Sequence, residues 1–131
     1  MTIVLDASVW ITALVERGDR ADWARGQLRG EELVAPHLLP AEVMSGLRRG
    51  VLSGRIGARG ATAALREVQQ TRVELLAFPA LADRVWQLRD TVTPYDAWYV
   101  ALAESIDAPL VTLDVRLAGA SGPRCRFVVP G

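Results

Sequence analysis

Lysine does not occur in this 131-residue chain; all 15 basic side chains are arginine. We read the bias as compositional, and it excludes every mechanism that depends on a catalytic lysine. Cysteine and histidine occur once each, as Cys125 and His37. No intrachain disulfide can form, no Cys/His zinc site can be assembled, and a Ser-His-Asp or Cys-His triad would hang on His37 alone. A metal here would have to be held by oxygen ligands, which favours Mg²⁺ or Mn²⁺. Long apolar runs are missing too: Val9 to Val15 is short and contains Thr12, so no membrane span is expected. The N-terminus, MTIVLDAS, has neither a basic segment nor a signal-peptide profile, which makes a cytosolic protein the expectation. Excess charge of either sign is also absent, with 15 acidic residues against 15 basic. Bulk charge therefore carries no nucleic-acid signal.

What is present suits one compact α/β domain over residues 1–131: half the residues are hydrophobic and 23% are charged. Thr2 to Leu5 reads as a buried strand stopping at Asp6, and further strands are expected at Leu33–Ala35, Val73–Phe78, Leu110–Leu113 and Arg126–Val129. Helices are expected over Ser8–Glu16, ended by Gly18, and over Asp19–Leu28, capped by Asp19 with Trp23 and Leu28 inward. Others open at Pro40, with Glu42, Val43, Leu47 and Leu52 following, and span Ala61–Gln70, Pro79 to about Val92, and Thr93 to about Ile106. The Gly/Arg-rich stretch Arg48–Gly60 joins two of them. Short continuous apolar strands alternating with helices indicate a parallel sheet covered on both faces.

Two strands end directly in aspartate, Leu5-Asp6 and Leu113-Asp114. Glu42 and Asp96 lie in the first turn of helices opened by Pro40 and Pro94. In an open parallel sheet, ligands bind at the carboxyl ends of the strands where the strand order reverses. Singly, each acid has a structural explanation: Asp6 as a helix cap, Glu42 against a helix dipole, Asp96 in the capping box Thr93-Pro-Tyr-Asp96, Asp114 in a turn. Jointly they suggest something else. Two unit charges about 4 Å apart repel by roughly 4 kcal/mol at an effective dielectric near 20. Such a cluster calls for a divalent cation, which can activate water or polarise a phosphodiester.

The segments IVLDASVWI, LPAEVMSGLRR, TPYDAWYVALAE and APLVTLDVRLA resemble the PIN-domain family, and within it the VapC-type toxins of bacterial toxin–antitoxin pairs. They span nearly the whole chain, and the third is the most specific, with Tyr99 and Ala101-Leu102-Ala103 following Asp96. The resemblance implies a five-stranded parallel sheet with helices on both faces and a Mg²⁺- or Mn²⁺-dependent endoribonuclease cleaving structured RNA with water as nucleophile. It makes Asp6 and Asp96 the principal metal ligands. Glu42 and Asp114 complete the acidic pocket, directly or through water, and Ser8 and Thr112 support it. It further implies a VapB-like antitoxin that blocks the pocket with a basic side chain, and a homodimer.

Arg48, Arg49, Arg55 and Arg59 are candidates for RNA phosphate contact, with a solvated helix face as the alternative. Trp10, Trp86, Trp98 and Tyr99 read as core or subunit-contact residues rather than base-stacking platforms. His37 has no assigned role. Two alternative functions stay open. One is an inactive PIN-fold binding or scaffold module, against which the four intact acids argue. The other is another Mg²⁺-dependent acidic-pocket phosphotransfer protein. Receiver domains and haloacid-dehalogenase-like phosphatases both require a lysine, and the latter an Asp-x-Asp where this chain has Asp6-Ala7-Ser8.

Overall fold

Five short apolar segments pair into a single parallel sheet: β1 (Thr2–Leu5), β2 (Glu32–Pro36), β3 (Val73–Leu76), β4 (Leu110–Val111) and β5 (Phe127–Val128). The computed structural model describes residues 1–131 and orders the strands β3-β2-β1-β4-β5. Strand order reverses between β1 and β4, the two strands that lead into Asp6 and Asp114. Thr112 prolongs the β4 ladder by donating its N–H to the Val128 carbonyl at 3.0 Å.

Helices α1 (Ala7–Val15), α2 (Asp19–Leu28), α3 (Leu39–Leu52) and α4 (Ala58–Gln70) pack on one face. The other face carries α5 (Ala82–Gln87), α6 (Pro94–Ser105) and α7 (Val115–Ala118). Side chains of a strand alternate between faces, so Ile3 and Leu5 enter the first core while Val4 enters the second, and Leu33 and Ala35 flank Val34 in the same way. The two cores hold 16 and 14 buried residues. Both faces are thus covered about equally, which is why the strands are apolar throughout.

The structure departs from the sequence reading at several points. Gly18, at φ +101°, precedes α2 and makes the turn out of α1, so Asp19 is the first helical residue and caps nothing. Ala21 and Ala24 are its fully buried positions, while Trp23 and Leu28 are half-buried. The helix expected over Pro79–Val92 breaks into a 3₁₀ turn (Pro79–Leu81), α5 and a run of turns. Thr91, Val92 and Thr93 are β-branched, and Pro94 bars Thr93 from helical angles. The short α7 was not foreseen. Trp10 and Tyr99 are core residues, but Trp98 is only half-buried and Trp86 is 66% exposed.

Two local features hold the site's supports in place. A Cβ on Gly46 would meet the terminal methyl of the half-buried Ile11 side chain, so this glycine leaves room for Ile11 where α3 meets α1. On the other side, Arg84 donates from Nε to Glu104 Oε1 at 2.7 Å and from a terminal nitrogen to Glu104 Oε2 at 3.1 Å and to the Gly122 carbonyl at 2.9 Å. The Arg124 N–H also donates to Glu104 Oε2, at 2.7 Å. Together these bonds tie α5, α6 and the segment before β5.

Each feature yields a prediction. Gly46→Val forces the Ile11 side chain out of its place between α3 and α1 and lowers stability by about 1–3 kcal/mol, the usual range for overpacking, as measured by urea unfolding. Burial alone would raise the Glu104 pKa, but the Arg84 bonds and charge, with the Arg124 N–H, hold it below the ordinary carboxylate value. A depressed carboxyl contributes stability that is present above its unfolded pKa and fades as pH falls through the folded one. Wild type therefore loses stability on acidification below the ordinary glutamate range, and Glu104→Gln flattens that slope in a pH series of melting curves.

Candidate metal and active site

Asp6 is the first residue beyond β1. Its N–H donates to the Val111 carbonyl at 3.0 Å, which fixes its backbone to the neighbouring strand. It stands at the N-cap of α1 but makes no side-chain capping bond. Its carboxylate is turned to other use. Oδ2 accepts from Ser8 Oγ at 3.0 Å and from Thr112 Oγ1 at 2.7 Å. Asp6 is 9% exposed and Thr112 not at all. Two hydroxyls thus grip one carboxylate oxygen of a buried acid and leave the other without a donor. Ser8 and Thr112, which the resemblance makes supports of the pocket, are the two donors to Asp6.

The other three acids are each held differently. Glu42, in the first turn of α3, accepts at Oε1 from the Tyr99 hydroxyl at 2.7 Å. Asp96 opens α6, where its N–H donates to Thr93 Oγ1 at 3.3 Å, the backbone half of a capping box. Asp114 caps α7: its Oδ1 accepts from the N–H groups of Arg116 and Leu117 at 3.0 and 3.1 Å. None of the four forms an ion pair.

Electrostatics ties these acids together. Burial chiefly raises the Glu42 pKa; Asp6 and Asp96 push it the same way, while the Tyr99 bond and Arg49 work against them. Asp96 is also raised, first by burial and then by the charges of Asp6 and Asp114, with Thr93 easing it. Asp6 and Glu42 line a cleft of about 620 Å³; Asp96 and Asp114 line a second hollow of about 570 Å³. The expected single crevice is thus two hollows with the acids between them. No three of the acids lie close enough to chelate one ion as they stand. The donor set still fits a hard divalent cation. It is all oxygen, it is joined in no ion pair, and Asp6, Glu42 and Asp114 each keep one oxygen without a protein donor.

Arginines stand beside this centre, not all where the sequence placed them. Arg49 and Arg55 line the cleft of Asp6 and Glu42, joined by Arg20. Arg48 lines a different, apolar groove with Met44 and Leu52, and Arg59 lies farther along α4. Arg116 lines the hollow of Asp96 and Asp114. Sequence reasoning missed Arg20 and Arg116, whose positions depend on how α2 and α7 pack. It read Tyr99 as part of the motif after Asp96 and as a core or subunit-contact residue, not as the partner of Glu42. The available signal was its spacing, three residues after Asp96 and hence on the same helical face.

Comparison with known proteins agrees with this architecture. Residues 3–122 match the PIN domain. Ribonuclease VapC1 of Mycobacterium tuberculosis is 46% identical over 125 residues, covering 95% of this chain and 94% of that protein. The structure of VapC20 from the same species, a Sarcin-Ricin loop cleaving toxin, superimposes with a TM-score of 0.69 at 19% identity, over 90% of this chain and 95% of the other. VapBC2 of Rickettsia felis, solved bound to a DNA fragment from its promoter, gives a TM-score of 0.68 at 13% identity and covers 98% of both chains. The two structural likenesses speak to the fold, the sequence likeness to descent; this chain belongs to the PIN-domain family, among its VapC ribonucleases.

Proposed function

We propose that the protein is a Mg²⁺- or Mn²⁺-dependent endoribonuclease that cleaves structured RNA with water as nucleophile, and that it is the toxin of a toxin–antitoxin pair. The observation that carries this reading is a set of four carboxylates at one sheet edge, held by neutral donors, joined in no ion pair and with Glu42 and Asp96 repelled by their acidic neighbours. Asp6 and Asp96 hold the cation, with Glu42 and Asp114 completing the pocket. The cation supplies charge compensation, polarisation of the phosphodiester and a water nucleophile near neutral pH. The chain's own part is orientation. Ser8 and Thr112 aim Asp6, Tyr99 aims Glu42, and the first turn of α7 aims Asp114. Arg49 in one hollow and Arg116 in the other hold phosphates on either side of the acids.

Exposed apolar surface supports the protein partners. Met44, Leu47, Val51, Leu52 and Leu65 line a groove of about 300 Å³ between α3 and α4, suited to an apolar segment of a VapB-like antitoxin. A basic side chain of that antitoxin occupies the acidic pocket and excludes substrate. Trp86, Tyr95 and Val115 are also widely exposed, in keeping with a homodimer. No helix is long and apolar enough to cross a membrane.

Purified protein should cut structured RNA in Mn²⁺ and stop in EDTA. Asp96→Asn lowers the cleavage rate on the order of 10²-fold or more, the scale seen when one preorganised electrostatic group is removed. Cleavage that survives both treatments overturns the reading, and a wild type inert with Mn²⁺ points to the scaffold alternative.

Stability gives a second check. The raised Glu42 and Asp96 pKa values mean that each carboxyl binds its proton more tightly folded than unfolded. Their charged forms therefore lower stability as pH rises through and above the ordinary carboxylate range. In EDTA at neutral pH, Asp96→Asn melts above wild type. Mn²⁺ raises the wild-type Tm and leaves the variant nearly unmoved. Calorimetry with and without the ion separates these outcomes.

A further inference from the structure

Tyr99 is 1% exposed and sits in the core beneath α5, α6 and α7. Glu42 projects from α3, on the opposite face of the sheet. The 2.7 Å bond from the Tyr99 hydroxyl to Glu42 Oε1 therefore passes over the carboxyl edge of the sheet and joins the two helical layers at the site. No other side-chain hydrogen bond links α6 to α3. Asp96 lies three residues before Tyr99 on the same helix, so one rigid element carries both an acid of the site and the group that holds another.

We propose that Tyr99 is a positioning residue that fixes Glu42 relative to Asp96, a role that rests on the metal-dependent reading above. Glutamate has rotamer freedom to lose, and Asp6 and Asp96 both repel Glu42. Without an anchor its carboxylate swings outward from them. A hydroxyl donor is suited to the task because it aims the carboxylate without cancelling its charge, and because it occupies only Oε1 and leaves Oε2 free. A buried tyrosine hydroxyl needs some acceptor in any case. Mere satisfaction of that need, however, makes no demand on metal affinity or turnover.

Tyr99→Phe keeps the ring and removes the bond. The Mn²⁺ concentration giving half of the full Tm shift rises, and kcat falls, each by about 10–100-fold, as for other partners that orient a metal ligand. KM for RNA stays within about twofold, because no substrate contact is lost. In a Glu42→Gln background, adding Tyr99→Phe changes neither quantity further. Unchanged Mn²⁺ titration and kcat in Tyr99→Phe overturn the proposal while the nuclease reading stands. So does a full additional loss in the Glu42→Gln background, or a variant whose only defect is a lower Tm in EDTA. A wild type that neither responds to Mn²⁺ nor cuts RNA overturns both readings together.

Discussion

Like charges crowded at the carboxyl edge of one sheet are the constraint around which this molecule is arranged. The charges of Asp6 and Asp96 add to burial in raising the proton affinity of Glu42, those of Asp6 and Asp114 do the same for Asp96, and none of the four forms an ion pair. Arginine is plentiful, and Arg84 shows that the fold can bring it onto a carboxylate bidentately. At the site it does not. The donors there are the hydroxyls of Ser8, Thr112 and Tyr99 and the N–H groups at the start of α7. Neutral donors fix direction without discharging the group, so the negative potential persists and would suit a cation. Arg49 acts on Glu42 without an ion pair, consistent with a substrate role instead.

The topology explains how four distant segments meet. A parallel sheet brings every strand's carboxyl end to one edge, and the reversal of order between β1 and β4 opens that edge. Asp6 and Asp114 arrive there by strand, and Thr112, between them, bonds to one and steadies the other: its hydroxyl donates to Asp6 and accepts from the Asp114 N–H at 3.0 Å. Glu42 and Asp96 arrive by helix starts, where Pro40 and Pro94 occupy first-turn positions that need no N–H. Gly46 then leaves room for the Ile11 side chain where α3 meets α1. A shift of that helix would be felt at Glu42, one turn away.

Much of this was legible in the residues. The apolar strands and their alternation with helices gave the sheet and its parallel sense, and the acids at strand and helix ends gave their placement along one sheet edge, because these depend on local pattern and on rules of chain connection. What escaped the sequence depends on tertiary distance. Arg48 and Arg49 are neighbours in sequence but line separate grooves, since consecutive helical residues point about 100° apart. Arg116 could not be placed without α7, a single turn stabilised by the Asp114 cap rather than by periodicity. The breakup of Pro79–Val92 reflects weak helix formers against Pro94. Tyr99 was visible as part of a motif, yet its acceptor lies 57 residues away on another layer.

Carboxylates play two opposite parts in this chain, and the contrast separates architecture from function. Glu104 is also partly buried, but its Arg84 bonds and the Arg124 N–H overcome that burial and lower its pKa, so its charge favours the folded state at neutral pH. Glu42 and Asp96 are shifted upward by burial reinforced by other acids, so their charges oppose folding over the same range. A sequence selected for stability alone would replace the second kind with amides, which keep the hydrogen-bonding shape without the repulsion. Retaining Glu42 and Asp96 as acids beside Asp6 and Asp114 makes sense where a cation would recover the lost stability on binding. On the proposed metal-dependent reading, an ion that neutralised the cluster would also supply the chemistry, and the folded site and the competent site would be one state.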